Sequence, residues 1–403
     1  MEQLRGLEIT TTIGCRVNCR YCPQSLLLSR YYETDKNRKK FLDFEDYKKA
    51  LTNVQGGGFV SFGGMAEPFH NPQCADMIKY TYEKGYRVYL FTTLMGMTLE
   101  DFEKIKDVKF DFFELHIPDK QNNCHFVIDN IYKELLVKMQ SRFHTYSYSC
   151  HGDVHPEIES LIDATKRAGL ILGDRAGNLD IGMKRVEREA PFLCAHGFED
   201  MLNQWIPVMC PDGTLVACCN DYGMRHQFGN LINDSWDHIS KQQEFQRFRR
   251  SWEDNTVKSL CNHCGSAVKI DQLPYAKLAK ALAETDQLQA AGRLKPQQIK
   301  LIQQLSNAGE ILIWGTGTYY KDHYKYFGWD KVLRPAAVLD SNRENRGTLV
   351  DGVLCYLPQE YKFKKNSLVI LFAKNTKDME EYLREREIQF ICIDDIFCAA
   401  ASI

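Results

Sequence analysis

The sequence lacks any run of apolar residues long enough to cross a bilayer. A membrane-spanning helix needs about 20 consecutive apolar residues, and no stretch of this 403-residue chain approaches that length. Residues 1–6 also lack the apolar region that is typical of a secretory signal peptide. We therefore expect a cytoplasmic protein with no membrane partner.

The chain also lacks an excess of charge of either sign. Its 51 lysines and arginines and 53 aspartates and glutamates give a formal net charge of -2. Proteins that bind nucleic acid derive most of their affinity from basic residues on phosphates, so this balance gives no reason to expect a nucleic-acid partner. Internal repeats and low-complexity segments are missing as well. The composition favours a small or neutral substrate, and the length suits two or three domains.

Cysteine, by contrast, is plentiful, with 15 residues. In the cytoplasm, cysteines are more often reduced thiols or metal ligands than members of disulfides. Cys15, Cys19 and Cys22 lie on a predicted loop that begins at Gly14, after a predicted strand over residues 9–13. This spacing can hold three irons of a cubane cluster, and the fourth iron then needs a distant cysteine or stays open for a substrate. Zinc sites prefer paired spacings, so this loop suits zinc poorly.

The cysteine motif, with Tyr21 before its last cysteine, resembles the signature of radical S-adenosylmethionine (SAM) enzymes. The resemblance implies that Cys15, Cys19 and Cys22 bind a [4Fe–4S] cluster whose open iron binds SAM, with Tyr21 at the cofactor site. One electron then cleaves SAM to a 5′-deoxyadenosyl radical. An electron donor such as a flavodoxin or ferredoxin is implied as a partner.

A second motif stands one β–α unit later, where a predicted strand over residues 59–62 is followed by Gly63-Gly64-Met65-Ala66-Glu67-Pro68. It resembles the Gly-Gly-Glu-Pro element with which radical SAM enzymes bind the amino group of SAM, although both glycines are replaced here. The resemblance implies cofactor contacts from Gly64, Met65, Ala66 and Glu67. We expect the Glu67 carboxylate to bind the SAM ammonium.

The ends of later predicted strands supply further candidates. The resemblance implies that Thr92 and Thr93 lie near the ribose or methionine of SAM, but a hydrogen-bonded turn explains either threonine equally well. His116 and Asp119 stand where a barrel strand presents side chains to a site. Arg175 is a candidate for the SAM carboxylate or the substrate, and a surface turn is the equal alternative.

Predicted strands alternate with predicted helices through residues 1–190, which favours a parallel sheet curled into a partial barrel. The predicted strands cover residues 9–13, 59–62, 86–91, 110–119, 145–151 and 170–172. This order resembles the partial (β/α)6 TIM-like barrel of the radical SAM core. We therefore expect an α/β fold for this domain.

A second set of cysteines follows the predicted core. Residues 211–213, Pro-Asp-Gly between two apolar alternating runs, predict a hairpin turn. Three segments of the chain can supply four thiolates, namely Cys194, Cys218 and the pair of Cys261 and Cys264. Such a closed site can store or relay an electron but cannot bind SAM. A four-cysteine zinc site is the alternative, and Cys210 or Cys219 could replace Cys194.

This arrangement resembles the SPASM/twitch auxiliary-cluster domains of radical SAM enzymes. The resemblance rests on Gly213-x4-Cys218, on the Gly-Asn-Leu sequence at residues 229–231, and on the late Cys-x2-Cys pair. The segment has too few cysteines for two clusters, so we expect the shorter twitch form, a small β-hairpin plus helix with one auxiliary [4Fe–4S] cluster. Its predicted bounds are residues 191–274.

The last part of the chain reads as a helical linker over residues 275–305 and a Rossmann-like α/β domain over residues 306–403. A buried strand enters a turn with Gly315 and Gly317, and the next strand ends in Asp340, an order that could bind a phosphate and a ribose. Tyr320 stands in place of the third glycine and argues against a dinucleotide. The domain resembles small Rossmann-like units on sugar-modifying enzymes, which bind nucleotide-linked substrates or only mediate contacts.

Together these features predict a radical SAM enzyme that abstracts hydrogen from a carbohydrate or nucleotide-linked sugar in a biosynthetic pathway, oxidising or rearranging it. The auxiliary cluster would accept the electron of the substrate radical. A peptide-modifying maturase is one alternative, but such enzymes often carry a leader-binding domain, and 14 residues precede Cys15. A non-catalytic iron–sulfur carrier or sensor is another, against which Glu67 beside an open cluster argues.

Overall fold

A computed structural model describes most of the chain. The described residues are 4, 6–33, 38–54, 58–144, 146–168, 173–180, 182, 187–194, 205–317, 319–320, 324, 328–373 and 375–403. Within this part, no helix has both the length and the apolar character to cross a membrane. The chain divides into two compact units, one of Met1–Pro191 with Gln204–Ala267 and one of Phe192–Asn203 with Val268–Ile403.

The first unit is built on one mixed sheet. The strands in the first part of the chain are β1 (Gly6–Ile9), β2 (Phe59–Phe62), β3 (Arg87–Thr92), β4 (Phe110–His116), β5 (Tyr146–Ser149), β6 (Phe192–Cys194), β7 (Val208–Met209), β8 (Thr214–Val216) and β9 (Gln227–Asn230). Among the described residues, the sheet order is β5-β4-β3-β2-β1-β7-β8-β9. The five strands from β1 to β5 pair in parallel, as does β7 with β1, and the β7–β8–β9 ladders are antiparallel.

Helices connect the parallel strands. They are α1 (Gln24–Tyr31), α2 (Phe44–Val54), α3 (Cys74–Glu83), α4 (Leu99–Ile105), α5 (Asn130–Arg142) and α6 (Pro156–Glu159), followed after β9 by α7 (Trp236–Ile239) and α8 (Gln243–Arg250). Local signals fix several starts. Thr98 and Asp101 form a capping box on α4, and the Asp129 side chain accepts the Tyr132 N–H at the start of α5. Because β1 to β5 and β7 run in parallel, their carboxyl ends lie on one edge of the sheet, where parallel sheets place their sites.

The predicted α/β class with parallel strands is confirmed, and four of the predicted strands appear as β2 to β5. The prediction of a strand over residues 9–13 is wrong, because β1 covers Gly6–Ile9 and Ile9 pairs with Phe62, the last residue of β2. After β5, α6 ends at Glu159, and the Asp163 side chain caps a separate 3₁₀ turn, Ala164–Lys166. The predicted strand 170–172 lies outside the described residues.

The second unit contains a second parallel sheet. The remaining strands are β10 (Ala267–Lys269), β11 (Glu310–Trp314), β12 (Ala337–Leu339), β13 (Leu349–Val350), β14 (Val353–Tyr356), β15 (Ser367–Leu371) and β16 (Gln389–Cys392). Within the described part, the order is β13-β14-β12-β11-β15-β16, parallel except for the β13–β14 hairpin, and β6 pairs with β10 in a separate sheet. The β13–β14 hairpin has no counterpart in the sequence prediction.

Helices cover this second sheet. They are α9 (Pro274–Ala283), α10 (Thr285–Ala290), α11 (Pro296–Ser306), α12 (Lys377–Arg384) and α13 (Ile393–Ala401). Leu278 of α9 and Ile302 of α11 are fully buried in the same apolar cluster as Ile313 of β11. Most residues of the predicted linker, 275–305, lie in α9, α10 and α11, whose side chains contribute to the core of this unit. The domain boundaries and the Rossmann-like assignment stay predictions.

Candidate active site

The turn after β2 is held by the threonines that follow β1. Thr10 Oγ1 accepts the Met65 N–H at 3.0 Å, and Thr11 Oγ1 donates to the Pro68 carbonyl at 2.7 Å. Gly64 has a φ of 57°, and a Cβ there would lie 2.3 Å from Thr10 Oγ1. The β-branched run after β1 thus serves as a support for the second motif, which explains why it does not continue as a strand.

Gln24 joins the cysteine loop to this turn. Its Oε1 accepts the Cys15 N–H at 3.4 Å, and its Nε2 donates to the Cys22 Sγ at 3.3 Å and to the Met65 carbonyl. The side chain is 6% exposed. Sequence reasoning missed this residue, because a glutamine at the start of a helix is an ordinary surface pattern.

The three cysteines of the loop interact with one another. Burial raises the pKa of Cys15 to about 11, and the nearby Cys22 adds to the shift. A hydrogen bond with Cys124 raises the pKa of Cys19, with further contributions from burial, Cys22 and Cys15. The electrostatic influence of these thiols on one another fits a loop that supplies three cysteine ligands to a cluster. Among the described residues, this loop included, no group of three or more His, Cys, Asp or Glu side chains is arranged to hold a single metal ion.

Glu67 is a buried carboxylate that the structure brings together with both candidate threonines. It is 4% exposed and accepts hydrogen bonds from Thr92 Oγ1 at 2.7 Å and from Thr93 N and Oγ1 at 2.6 Å each. The Phe69 N–H donates to it at 3.2 Å. Burial raises the pKa of Glu67 despite these donors. Thr92 and Thr93 therefore orient Glu67, and an incoming ammonium would share its oxygens with them.

Arg175 lies near a second acid, Glu8, that sequence reasoning missed. Glu8 accepts the Gly64 N–H at 3.1 Å, and burial raises its pKa while the Gly64 bond, Cys219 and Arg175 oppose the rise. Burial lowers the pKa of Arg175, but Tyr222, Cys219, Cys22 and Glu8 outweigh burial and raise it overall. The signal for Glu8 was available, since an acid between Leu7 and Ile9 is unusual in a buried strand.

An imidazole pair lies beside Tyr21. The Tyr21 hydroxyl is 3.3 Å from His116 Nε2, and its ring centroid is 3.8 Å from that of His151. The two imidazole centroids are 5.2 Å apart. Asp119 is 1% exposed, and its Oδ2 has no hydrogen-bond partner among the described residues. His116 ends β4 and His151 follows β5, so the parallel register brings them to the same edge.

Three of the predicted auxiliary ligands, Cys218, Cys261 and Cys264, lie in the first unit, and Cys194 ends β6 in the second. His226 supports the Cys261 loop, because its Nε2 accepts the Leu260 N–H at 3.2 Å.

Both spare cysteines, Cys210 and Cys219, are buried in one apolar cluster, and Cys219 also lowers the pKa of the Glu8 carboxyl. The choice of ligands for the auxiliary cluster stays a prediction.

In the second unit, Asp340 holds the glycine turn. Its Oδ2 accepts the Thr316 N–H at 3.0 Å and also the Thr316 hydroxyl. Gly315 has a φ of 110°, and a Cβ there would lie 2.7 Å from the Phe372 carbonyl oxygen. Asp340, which the sequence pattern indicates as a ribose ligand, therefore already accepts hydrogen bonds from the glycine turn.

Comparison with known proteins extends these observations. Residues 207–265 match the family model of SPASM, an iron–sulfur cluster-binding domain. A biotin synthase of Ehrlichia chaffeensis is 26% identical over 170 residues, which are 41% of this chain and 50% of that protein. A biotin synthase of Ehrlichia canis is 29% identical over 170 residues, with 41% and 51% covered. The chain spans about half the length of the curated relatives it matches.

Among solved structures, BtrN in complex with AdoMet and 2-DOIA aligns over 66% of this chain and 94% of that chain, with a TM-score of 0.44 and 17% identity. SuiB of Streptococcus suis, bound to precursor peptide SuiA, aligns over 66% and 70%, with a TM-score of 0.44 and 12% identity.

The predicted resemblance to radical SAM enzymes is confirmed, since biotin synthases are radical SAM enzymes. More particularly, the chain carries the predicted SPASM-type iron–sulfur domain. The matched domain is an iron–sulfur cluster-binding domain, in agreement with the predicted auxiliary cluster, and radical SAM enzymes with this domain bind a SAM-binding [4Fe–4S] cluster, auxiliary iron–sulfur clusters and SAM. The assignment of individual residues to these cofactors stays a prediction.

Proposed function

We propose that this protein is a radical SAM oxidoreductase that oxidises a hydroxyl-bearing small molecule, a carbohydrate or a nucleotide-linked sugar. The observation that carries the proposal is the polar group at the ends of β4 and β5. Tyr21, His116, His151 and Asp119 lie there beside the cysteine loop. In this group the imidazoles and the Asp119 carboxylate can accept hydrogen bonds from substrate hydroxyls, and the Tyr21 hydroxyl can donate one.

The cofactor residues fit the same site. Cys15, Cys19 and Cys22 would hold the first cluster, Glu67 would bind the ammonium of SAM, and Arg175 would bind its carboxylate or the substrate. When bound, this cluster and SAM supply a radical that removes a hydrogen atom from the substrate. A flavodoxin or ferredoxin would supply the electron.

The two imidazoles can take the proton that leaves the substrate hydroxyl. Burial lowers the pKa of His116 to about 4, and His151 and Arg175 add to the shift while Asp119 opposes it. Burial likewise lowers the pKa of His151. Both rings are therefore neutral at pH 7 and able to accept a proton. His151 is only half-buried, which makes it our candidate base.

Asp119 supports a hydroxyl-bearing substrate. Its buried Oδ2 has no partner among the described residues, and a buried acceptor without a donor costs about 1–3 kcal/mol. A substrate hydroxyl would remove that penalty. Cys218, Cys261 and Cys264, with the fourth ligand predicted from the sequence, would hold an auxiliary cluster suited to accept an electron, so that no hydride acceptor is needed.

The test is 5′-deoxyadenosine formation by the anaerobically reconstituted protein with SAM and a reductant. Nucleotide sugars, free carbohydrates and peptides are supplied separately, and we expect stimulation by members of the first two groups only. Stimulation by peptides alone would favour the maturase alternative. Failure to form any 5′-deoxyadenosine would favour the carrier or sensor.

A variant pair tests the proposed base. In His151→Phe we expect 5′-deoxyadenosine to form while oxidised product falls at least tenfold, because hydrogen abstraction does not need the imidazole. The control is His144→Phe, since His144 is exposed and should behave as wild type. Equal product from both variants would exclude His151 as the base.

A further inference from the structure

Tyr222 contacts the cysteine loop from the SPASM segment. Its hydroxyl lies 3.2 Å from Cys22 Sγ, although the two residues are 200 positions apart in the chain. We infer that Tyr222 donates a hydrogen bond to the Cys22 sulfur and thereby raises the reduction potential of the SAM-binding cluster. This inference rests on the proposed function, because it presupposes the cluster on Cys22.

The Tyr222 ring has little freedom to move away from this position. It is 3% exposed and lies in an apolar cluster with Ile13 and Met65 of the core and Val216 of the hairpin. Side chains from both segments thus fix the ring between them. This packing holds the Tyr222 hydroxyl next to Cys22, so the contact does not depend on a mobile side chain.

The direction of the hydrogen bond follows from the chemistry of the sulfur. A cysteine that binds iron is a thiolate and has no proton to donate. Tyrosine has one O–H, so Tyr222 must be the donor and Cys22 the acceptor. In this state the bond is charge-assisted, a class that is stronger than a neutral hydrogen bond.

Such a bond favours the reduced cluster. Reduction adds negative charge to the cluster and its sulfurs, and a donor stabilises the state with more negative charge. Hydrogen bonds to the sulfurs are among the factors that set the potentials of iron–sulfur clusters. Gln24 Nε2 also donates to Cys22 but serves the Met65 carbonyl as well. Tyr222 is therefore the cleaner target, since Tyr222→Phe removes one oxygen.

The experiment is a potentiometric titration of the full-length reconstituted protein followed by electron paramagnetic resonance. At the wild-type midpoint potential, we expect the ratio of reduced to oxidised SAM-binding cluster to fall about tenfold in Tyr222→Phe, which is about 59 mV for one electron. The auxiliary cluster is the internal reference and should not shift. The matched control is Tyr31→Phe, because Tyr31 is equally buried in the same cluster but donates to the Lys39 carbonyl.

A second variant reverses the sign and guards against misfolding. Site-specific 3-fluorotyrosine at position 222 carries a more acidic hydroxyl, so the ratio should shift toward the reduced cluster. An unchanged ratio in both variants, or an equal shift of both clusters, would overturn the inference alone. A wild-type protein with no SAM-responsive cluster would overturn the proposed function together with the inference.

Discussion

Among single residues, Gln24 links the cysteine loop to the Met-Ala-Glu-Pro turn. Gln24→Ala leaves the Met65 carbonyl and the Cys15 N–H without their side-chain partner. A buried polar group without a partner costs about 1–3 kcal/mol, so we expect a loss of that size in the free energy of unfolding, measured by urea denaturation. We also expect the bound iron to fall.

The control for this prediction is Gln140→Ala. Gln140 Nε2 also donates to two carbonyls, those of Leu136 and Leu161, each at 3.0 Å. The control should lose stability but keep its iron. A Gln24→Ala protein with full iron content would contradict the role of Gln24 in holding the cysteine loop.

His116 gives a second prediction at this scale, on pH. Burial lowers its pKa to about 4 in the folded protein, against an ordinary value of about 6.5 in the unfolded chain. Between these values the unfolded state binds more protons, so stability is present above about pH 6.5 and is lost as the pH falls toward 4. From pH 7.5 to 5.5, we expect the free energy of unfolding to fall about 1 kcal/mol more in wild type than in His116→Asn.

Chemical denaturation across that range measures the difference. His144→Asn is the control, since the exposed His144 should leave the wild-type slope unchanged. Parallel slopes for wild type and His116→Asn would show that burial does not keep His116 neutral.

Among elements, the turn after β11 makes a sharp prediction. Gly315→Ala places a Cβ 2.7 Å from the Phe372 carbonyl oxygen and forces alanine to a φ of 110°. Positive φ costs a non-glycine residue about 1–2 kcal/mol, and the close contact adds to it. We expect at least about 2 kcal/mol of destabilisation of the second unit by thermal unfolding.

Gly317→Ala, two residues further along, is the matched control. A Cβ there meets nothing within 4 Å, so we expect a change within about 0.5 kcal/mol. Similar effects of the two substitutions would mean that the approach of Phe372 does not determine the shape of this turn.

The β7–β8 hairpin of the SPASM segment is also part of the core sheet. β7 pairs in parallel with β1, matching Glu8 with Val208 and Ile9 with Met209. The hairpin therefore extends the sheet of the core. Its attachment to β1 brings the segment around Tyr222 close to the cysteine loop, which is the basis of the inference on the reduction potential.

For the whole molecule, the decisive prediction is the iron content. The anaerobically reconstituted wild type should hold about eight irons, and the triple variant Cys15→Ala, Cys19→Ala, Cys22→Ala about four, because two cubanes have separate ligands. Mössbauer spectra should show cubane iron in both proteins. Cys355→Ala, which changes a buried cysteine of the second unit, should retain about eight.

Values near four and zero would contradict this prediction. They would exclude the auxiliary cluster and leave Cys218, Cys261 and Cys264 as a zinc or structural set. The proposed oxidation without a hydride acceptor would be excluded with it.

The sequence by itself determined the parts of this protein that depend on local spacing. The cysteine loop, the Met-Ala-Glu-Pro turn and the hairpin turn at residues 211–213 follow from neighbouring residues, and the parallel strands from runs of β-branched and apolar side chains. The SPASM segment was identified from motifs of this kind. These features can be read because glycine, proline and cysteine constrain the backbone or the chemistry within a few positions.

Only the tertiary structure decided the contacts between distant segments. Ile9 at the end of β1 pairs with Phe62 at the end of β2, and the threonine donors to Glu67 stand at the end of β3. Gln24 and Tyr222 meet Cys22 from different elements. No local pattern encodes these pairs, because each depends on strand register and on packing around a shared edge of the sheet. The supports of the candidate site are therefore a property of the fold, whereas its cysteines are a property of the sequence.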